Sequence, residues 1–281
     1  MFPATLIGCG ALVLWAFLGL FTRLAAGIPP LQLTAMGFAV AGAVGLAVVA
    51  STGRLRLLRQ PPVAWLHGVG GLFGYHALYF LALALAPAVE ANLLNYLWPL
   101  LMVLLAAPLR GMRLGPARLA GVGLGFAGCA LLVGTGASFP PGAMPGLLAA
   151  VGAALVWAIY SVTAGMPRLA QVPTEAVAGF CLGAAALAIV AHLAFEPTVW
   201  PDARQALAAL LLGLGPVGAA FFLWDVGIKR GDPRLLGTLA YAVPVASTLL
   251  LILAGEGAFS TKLILATLMV TGGGIVAAKA R

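Results

Sequence analysis

Apolar residues run along this chain in stretches of about twenty, and each stretch ends at proline, glycine or a small basic cluster. Within a stretch no polar stripe recurs at helical spacing, so the helices are not of the kind that lie half in water on a soluble core. The pattern predicts ten helices, over residues 4–26, 31–50, 62–86, 89–108, 116–135, 145–166, 175–195, 206–228, 234–254 and 262–279. Their limits fall at Pro29 and Pro30, Pro61 and Pro62, Pro87, Pro116, Pro140 and Pro141, Pro173, Pro201, and Gly231 with Pro233.

Composition turns this pattern into a class. The 281 residues are 63% hydrophobic and 8% charged, with a mean hydropathy of +1.10. Soluble domains run near 45–50% apolar and 25% charged, and so few charges could not cover a soluble surface. Ten spans consume about 200 residues, which leaves short connections and no room for a soluble domain. The N-terminal run lacks a basic region and continues past signal-peptide length, so it reads as a retained first helix. Cys9, Cys129 and Cys181 lie within apolar runs and read as free packing residues.

The net charge of +8 would suggest nucleic acid in a soluble protein. Here the basic residues sit in alternate connections, and the nucleic-acid reading fails. One side holds Arg54, Arg56 and Arg59; Arg110, Arg113 and Arg118; Arg168; Lys229, Arg230 and Arg234; and Lys279 with Arg281. The other holds Arg204 and Lys262, with Arg23 near the end of the first helix. The positive-inside rule then places both termini in the cytoplasm, in a multi-pass protein of the cell inner membrane, surrounded by lipid.

The chain repeats itself. Asn95-Tyr96-Leu97-Trp98-Pro99 in the fourth span returns as Ala240-Tyr241-Ala242-Val243-Pro244 in the ninth, and Ala11-Leu12-Val13-Leu14-Trp15-Ala16 is echoed by Ala154-Leu155-Val156-Trp157-Ala158. Two five-helix repeats follow, residues 1–138 and 139–281. Five is odd, so the second enters the membrane from the opposite side. The expected fold is an all-α membrane protein of ten transmembrane helices in two inverted repeats, with a site between the halves near the midplane.

Several mid-span residues could carry function. Pro99 and Pro244 lack an N–H and free the carbonyls of Asn95 and Ala240, which makes a hinge and polar notch, or an ordinary kink. Asn92, Asn95, Tyr96 and Pro99 share one helical face, as do Tyr75 and Tyr79, with His76 about 100° away. Trp157, Tyr160 and Ser161 share another face, and Tyr241, Pro244 and Thr248 a fourth. Trp98 and Trp224 add large aromatic surfaces. Tyrosine and tryptophan serve as anchors near helix ends, which suits Trp65 and Trp200, but a phenol or carboxamide at mid-membrane wants a partner or a wet cavity. No Lys, Arg, Asp or Glu sits at a midplane. Asp225 is nearest, either paired with Lys229 or Arg234 or acting in coupling. His76 is either a neutral, hydrogen-bonded ring or a proton relay. Glu90, Arg23, His67 and His192 lie near span ends and are expected to be solvated.

A charge-free centre excludes phosphorylated sugars, which need a cationic site, and polyvalent cations, which need acids. What remains is a neutral or zwitterionic solute held by aromatic faces and amides, with no cofactor, no metal and no strong sodium dependence. Gly123-Leu124-Gly125-Phe126-Ala127-Gly128 matches G-x-G-x-x-G but lies inside a span, where it permits close helix packing instead. No nucleophile–base pair supports an enzyme.

At this point the chain resembles the drug/metabolite transporter superfamily: ten short-looped helices in two halves, Tyr96-Leu97-Trp98-Pro99 answered by Tyr241-Ala242-Val243-Pro244, and the early Trp15. Within it, Gly74-Tyr75-His76-Ala77-Leu78-Tyr79-Phe80 and Glu90 through Pro99 are similar to the YddG-type aromatic amino-acid exporters. The resemblance implies a basket-like bundle with a central cavity lined by the third, fourth, sixth, eighth and ninth helices. It implies a secondary transporter, compatible with a monomer, that exports neutral and aromatic amino acids by alternating access; efflux of drugs or other metabolites is the alternative.

Overall fold

A computed structural model describes residues 2–111, 114–134, 140, 142–164, 166–231, 236 and 239–279. The boundary expected between residues 138 and 139, and Arg113, Pro141, Pro233, Arg234 and Arg281, lie outside them. All regular structure among the described residues is helical. Seven helices are long and apolar enough to cross a membrane, and three shorter apolar ones cover Pro116–Leu131, Ala242–Leu253 and Thr261–Ala277.

Proline sets both where helices start and where they break. Pro30 opens α3 (Pro30–Ser51) and Pro62 opens α4 (Pro62–Leu85), each in the first turn, where its missing N–H costs nothing. Inside spans the same residue interrupts. The fourth span is two helices, α5 (Ala88–Asn95) and α6 (Trp98–Arg110), separated at Tyr96 and Leu97. Its counterpart breaks at the same motif: residues 240 and 241 form a turn, and α12 (Ala242–Leu253) starts beyond it. The carbonyl of Ala240, expected to be freed by Pro244, accepts a bond from the N–H of Val243 at 3.1 Å, so a tighter turn satisfies it.

Two further interruptions were not expected. The first span divides at Phe17 into α1 (Phe2–Ala16) and the seven-residue α2 (Leu18–Leu24). The eighth contains a π-helical turn, Gly215–Ala219, around Pro216, between α10 (Ala203–Leu214) and α11 (Ala220–Arg230). Its displaced Pro216 carbonyl accepts a bond from the Trp15 indole at 3.2 Å. Continuous helices α7 (Pro116–Gly134), α8 (Met144–Ala164), α9 (Ala176–Phe195) and α13 (Thr261–Lys279) complete the bundle.

The closest packings are α7 on α13, α3 on α9, α4 on α8 and α1 on α11. Small residues permit the first: a Cβ on Gly121 would lie 2.6 Å from both the Gly273 carbonyl oxygen and the Ala277 nitrogen. Without a hydrophobic drive between helices in lipid, such backbone contact is what holds them. The α3–α9 pair is clasped at both ends. Glu196 accepts from the N–H groups of Leu31 and Gln32 at one (2.9 and 3.1 Å), and Arg54 pairs with Glu175 at the other (2.8 Å).

Three side chains expected to be solvated are instead paired or packed within the bundle. His192 is buried, its Nδ1 2.9 Å from Glu196 and its Nε2 2.9 Å from Thr198. Arg23 pairs with Glu256, and His67 is half-buried against α8. Each lies at a span end that the bundle covers. Trp65, expected at the headgroups, packs edge-on against Phe180 at 5.3 Å; Trp200 is 90% exposed.

Candidate functional site

Mid-span aromatics from six spans converge on two connected spaces. The larger, about 490 Å³, lies toward the end of the bundle that carries the basic connections. Trp98, Trp157, Tyr160, Ser161, Trp224 and Asp225 line it, joined by Trp15 and His67. The smaller, about 40 Å³, continues inward between Trp15, Tyr75, His76, Tyr96, Trp98 and Trp157. The lining draws on the third, fourth, sixth, eighth and ninth spans, as the resemblance implied, and also on the first through Leu12, Trp15 and Leu18 and the seventh through Val177 and Phe180.

The walls are ring against ring. His67 stacks on Tyr160 (centroids 4.5 Å apart), Tyr160 on Trp157 (5.2 Å), Trp157 meets Tyr75 (5.1 Å), and Tyr75 lies parallel to Tyr79 (5.8 Å). Trp15 joins the ladder from the first span, tilted on Trp224 at 5.2 Å and edge-on to Trp157 at 6.2 Å. Such a ladder presents both the negative faces and the positive edges of aromatic rings to whatever occupies the space. Gly71 makes it possible, since any side chain there would strike the Tyr160 ring.

Behind the inner space, polar residues bond one another. The Tyr79 hydroxyl donates to Asn92 Oδ1 at 2.6 Å, the Asn92 amide donates to Ser247 at 3.1 Å, and Tyr96 shares a bond with Ser247. Asn95 donates to the Tyr75 hydroxyl at 3.1 Å, while its Oδ1 is buried without a partner. Tyr79, Asn92 and Asn95 therefore support the walls and do not line either space. Tyr241 turns away, its ring on Gly274 of α13. Pro99 and Pro244 mark the two helix breaks that bring this network to the centre. Asn92→Leu is expected to strip the Tyr79 hydroxyl of its buried acceptor and Ser247 of one of its two partners, at about 1–3 kcal/mol, read as a lowered unfolding temperature in detergent.

His76 points its Nδ1–H at the Leu72 carbonyl, 2.9 Å away, and is ringed by Phe38, Tyr75, Phe80 and Phe221. Asp225 accepts a hydrogen bond from Thr174; the Lys229 side chain and Arg234, weighed as its partners, are outside the described residues. Sequence reasoning passed over Trp15 and His67 as lining residues. The echo between Trp15 and Trp157 marked the first, and the i, i+4, i+8 series His67, Gly71, Tyr75 marked the second.

A helical membrane bundle with an aromatic vestibule reaching its centre from one side, and a bonded layer behind it, is built as a solute transporter. The chain belongs to the EamA-like transporter family, which it matches twice, over residues 2–134 and 144–278. It is 52% identical to the aromatic amino acid exporter YddG of Ancylobacter novellus, over 98% of this chain and 96% of that one. It is 27% identical to the protein of the same name in Escherichia coli, over 97% and 96% of the two chains. A solved crystal structure 52% identical to it superposes with a TM-score of 0.77, over 98% of this chain and 97% of that one.

Proposed function

We propose that this transporter exports neutral and aromatic amino acids from the cytoplasm across the inner membrane by alternating access. The observation that carries the reading is the aromatic ladder running from a 490 Å³ vestibule to the bundle centre, with Asp225 as the one lining Asp, Glu, Lys or Arg among the described residues. That volume is in the range of small-molecule sites, about 300–1,000 Å³. Ring faces suit both an aromatic side chain and an ammonium group. The names of the YddG relatives agree with this substrate class.

The bundle is read as ten spans in two inverted halves, 1–138 and 139–281. The twofold match to the family supports this. So does the packing: inversion maps α7–α13 and α3–α9 onto themselves and exchanges α4–α8 with α11–α1, the four closest pairs. By the positive-inside rule the vestibule then faces the cytoplasm, as do both termini. Maleimide labelling of cysteines placed at Gly53 and Gly142 is expected to report opposite sides of the membrane; labelling from one side would overturn the inverted halves.

The substrate-binding residues of this reading are Trp15, Tyr75, Tyr96, Trp98, Trp157, Tyr160, Ser161 and Trp224, with His67 at the entrance. Asp225, on the vestibule wall, is the candidate for proton coupling; the caged, bonded His76 favours a packing role. A ligand that binds only folded protein raises its unfolding temperature. Tryptophan and phenylalanine are therefore expected to raise that of the purified protein, and glutamate, lysine and a hexose phosphate to leave it unchanged. Stabilisation by the hexose phosphate alone would refute the substrate class.

A further inference from the structure

We infer that the short helix α2 is the exit plug of the transport path, latched shut by an ion pair between Arg23 and Glu256. A one-residue turn at Phe17 sets off α2, seven residues long, from α1, while the backbone bonds run on through it (Phe17 N–H to Leu14, Phe21 N–H to Phe17), so α2 can tilt by bending the span at this residue. One of its faces sits on the bonded layer behind the cavity: a Cβ on Gly19 would lie 3.0 Å from the Tyr79 hydroxyl and 3.4 Å from Asn92 Oδ1. One turn further out on that face stands Arg23. Its Nε donates to Glu256 Oε2 at 2.7 Å and its Nη1 to the Leu83 carbonyl at 2.9 Å. The guanidinium thereby joins α2 to the end of α4 and to the connection after α12, the elements that carry Tyr79 and Ser247.

The two charged clasps described above join other elements. Arg54–Glu175 and the Glu196 cluster clasp the two ends of the α3–α9 pair. Arg23–Glu256 lies on one side only, opposite the vestibule. Both side chains are about a quarter exposed (28% and 26%), so water can take up either charge when the pair parts. A 110 Å³ space beside Arg23, between α2 and α4 and lined by Thr22, Phe80 and Leu83, gives the plug room to move. For export, the latch keeps the cavity sealed outward while substrate enters, and its release lets α2 lift off Tyr79 and Asn92.

The direction of export rests on the function proposed above; the latch itself does not. The test places a reporter cysteine at Ala240, on the inner space, in protein with Cys9, Cys129 and Cys181 replaced by alanine. An impermeant thiol reagent is applied from each side of the membrane, with no amino acid present. Arg23→Gln and Glu256→Gln are each expected to raise labelling from the side opposite the basic connections several-fold and to lower it from the basic side. The exchanged pair, Arg23→Glu with Glu256→Arg, should restore the original sidedness. A short bifunctional thiol linker joining cysteines at 23 and 256 is expected to abolish labelling from the exit side until it is cleaved. Should Arg23→Gln fail to fold, Glu256→Gln decides alone, since it keeps the shape of the side chain. Unchanged sidedness in the folded single variants would overturn the latch, whatever the amino-acid transport assay reports. Loss of amino-acid transport by the wild type, with sidedness shifted as expected, would overturn the substrate and leave the latch standing.

Discussion

Gly273→Val is expected to eliminate most of the folded protein. A Cβ at 273 strikes the carbonyl oxygen of Gly121 and comes within 2.7 Å of the backbone nitrogen of Gly125. These are backbone atoms of a facing helix, with no side chain to swing aside. Overpacking in a soluble core costs about 1–3 kcal/mol. Here the cost falls at the upper end or beyond, because α7 and α13 depend on close backbone approach and have no hydrophobic drive to recover it in lipid. The monodisperse peak in size exclusion and the unfolding temperature both report it. Gly272→Val is the control, since a Cβ there meets nothing within 4 Å, and it is expected to purify as the wild type does. Equal yields for the two variants would mean that the α7–α13 contact is not a structural seam.

Trp157→Ala is expected to cause the largest loss of transport that leaves the fold in place. Its ring is 5.1 Å from Tyr75, 5.2 Å from Tyr160, 5.8 Å from Phe221 and 6.2 Å from Trp15, and it lines both spaces. An aromatic contact with a ring or an ammonium group is worth about 0.5–2 kcal/mol, a several-fold to thirty-fold change in apparent affinity. Trp15→Ala should approach it, since Trp15 packs edge-on to Trp157 and also lines both spaces. Trp200→Ala, at a position 90% exposed and far from the ladder in sequence, is expected to alter yield and leave transport per folded molecule unchanged. Should Trp200→Ala match Trp157→Ala, the aromatic ladder is packing and the site lies elsewhere.

The path from sequence to this site was legible where composition and spacing act over a whole helix. Apolar run length set the helices, and the repeated Tyr-x-x-Pro set the two matching breaks at Tyr96–Leu97 and Tyr241. Helical spacing correctly put Tyr75 beside Tyr79 and Trp157 beside Tyr160. What spacing could not supply was the rotation of each helix about its axis. The same mid-span logic singled out Tyr79, Asn95 and Tyr241, yet the first two stand behind the wall and the third faces α13, because those choices depend on neighbours across the bundle. The breaks at Phe17 and Gly215–Ala219 were illegible for a related reason. Phe17 has no helix-breaking chemistry of its own, and Pro216 alone does not distinguish a kink from a π turn. Trp15 was visible only as half of an echo; the fold turned it into a wall.

The most direct test of the account is counterflow of radiolabelled tryptophan in proteoliposomes, with no imposed gradient. Vesicles preloaded with unlabelled tryptophan or phenylalanine are expected to accumulate the label transiently above its equilibrium level, and vesicles preloaded with a hexose phosphate are not. No overshoot with either amino acid, or an equal overshoot with the hexose phosphate, would contradict the assignment of this cavity to amino acids.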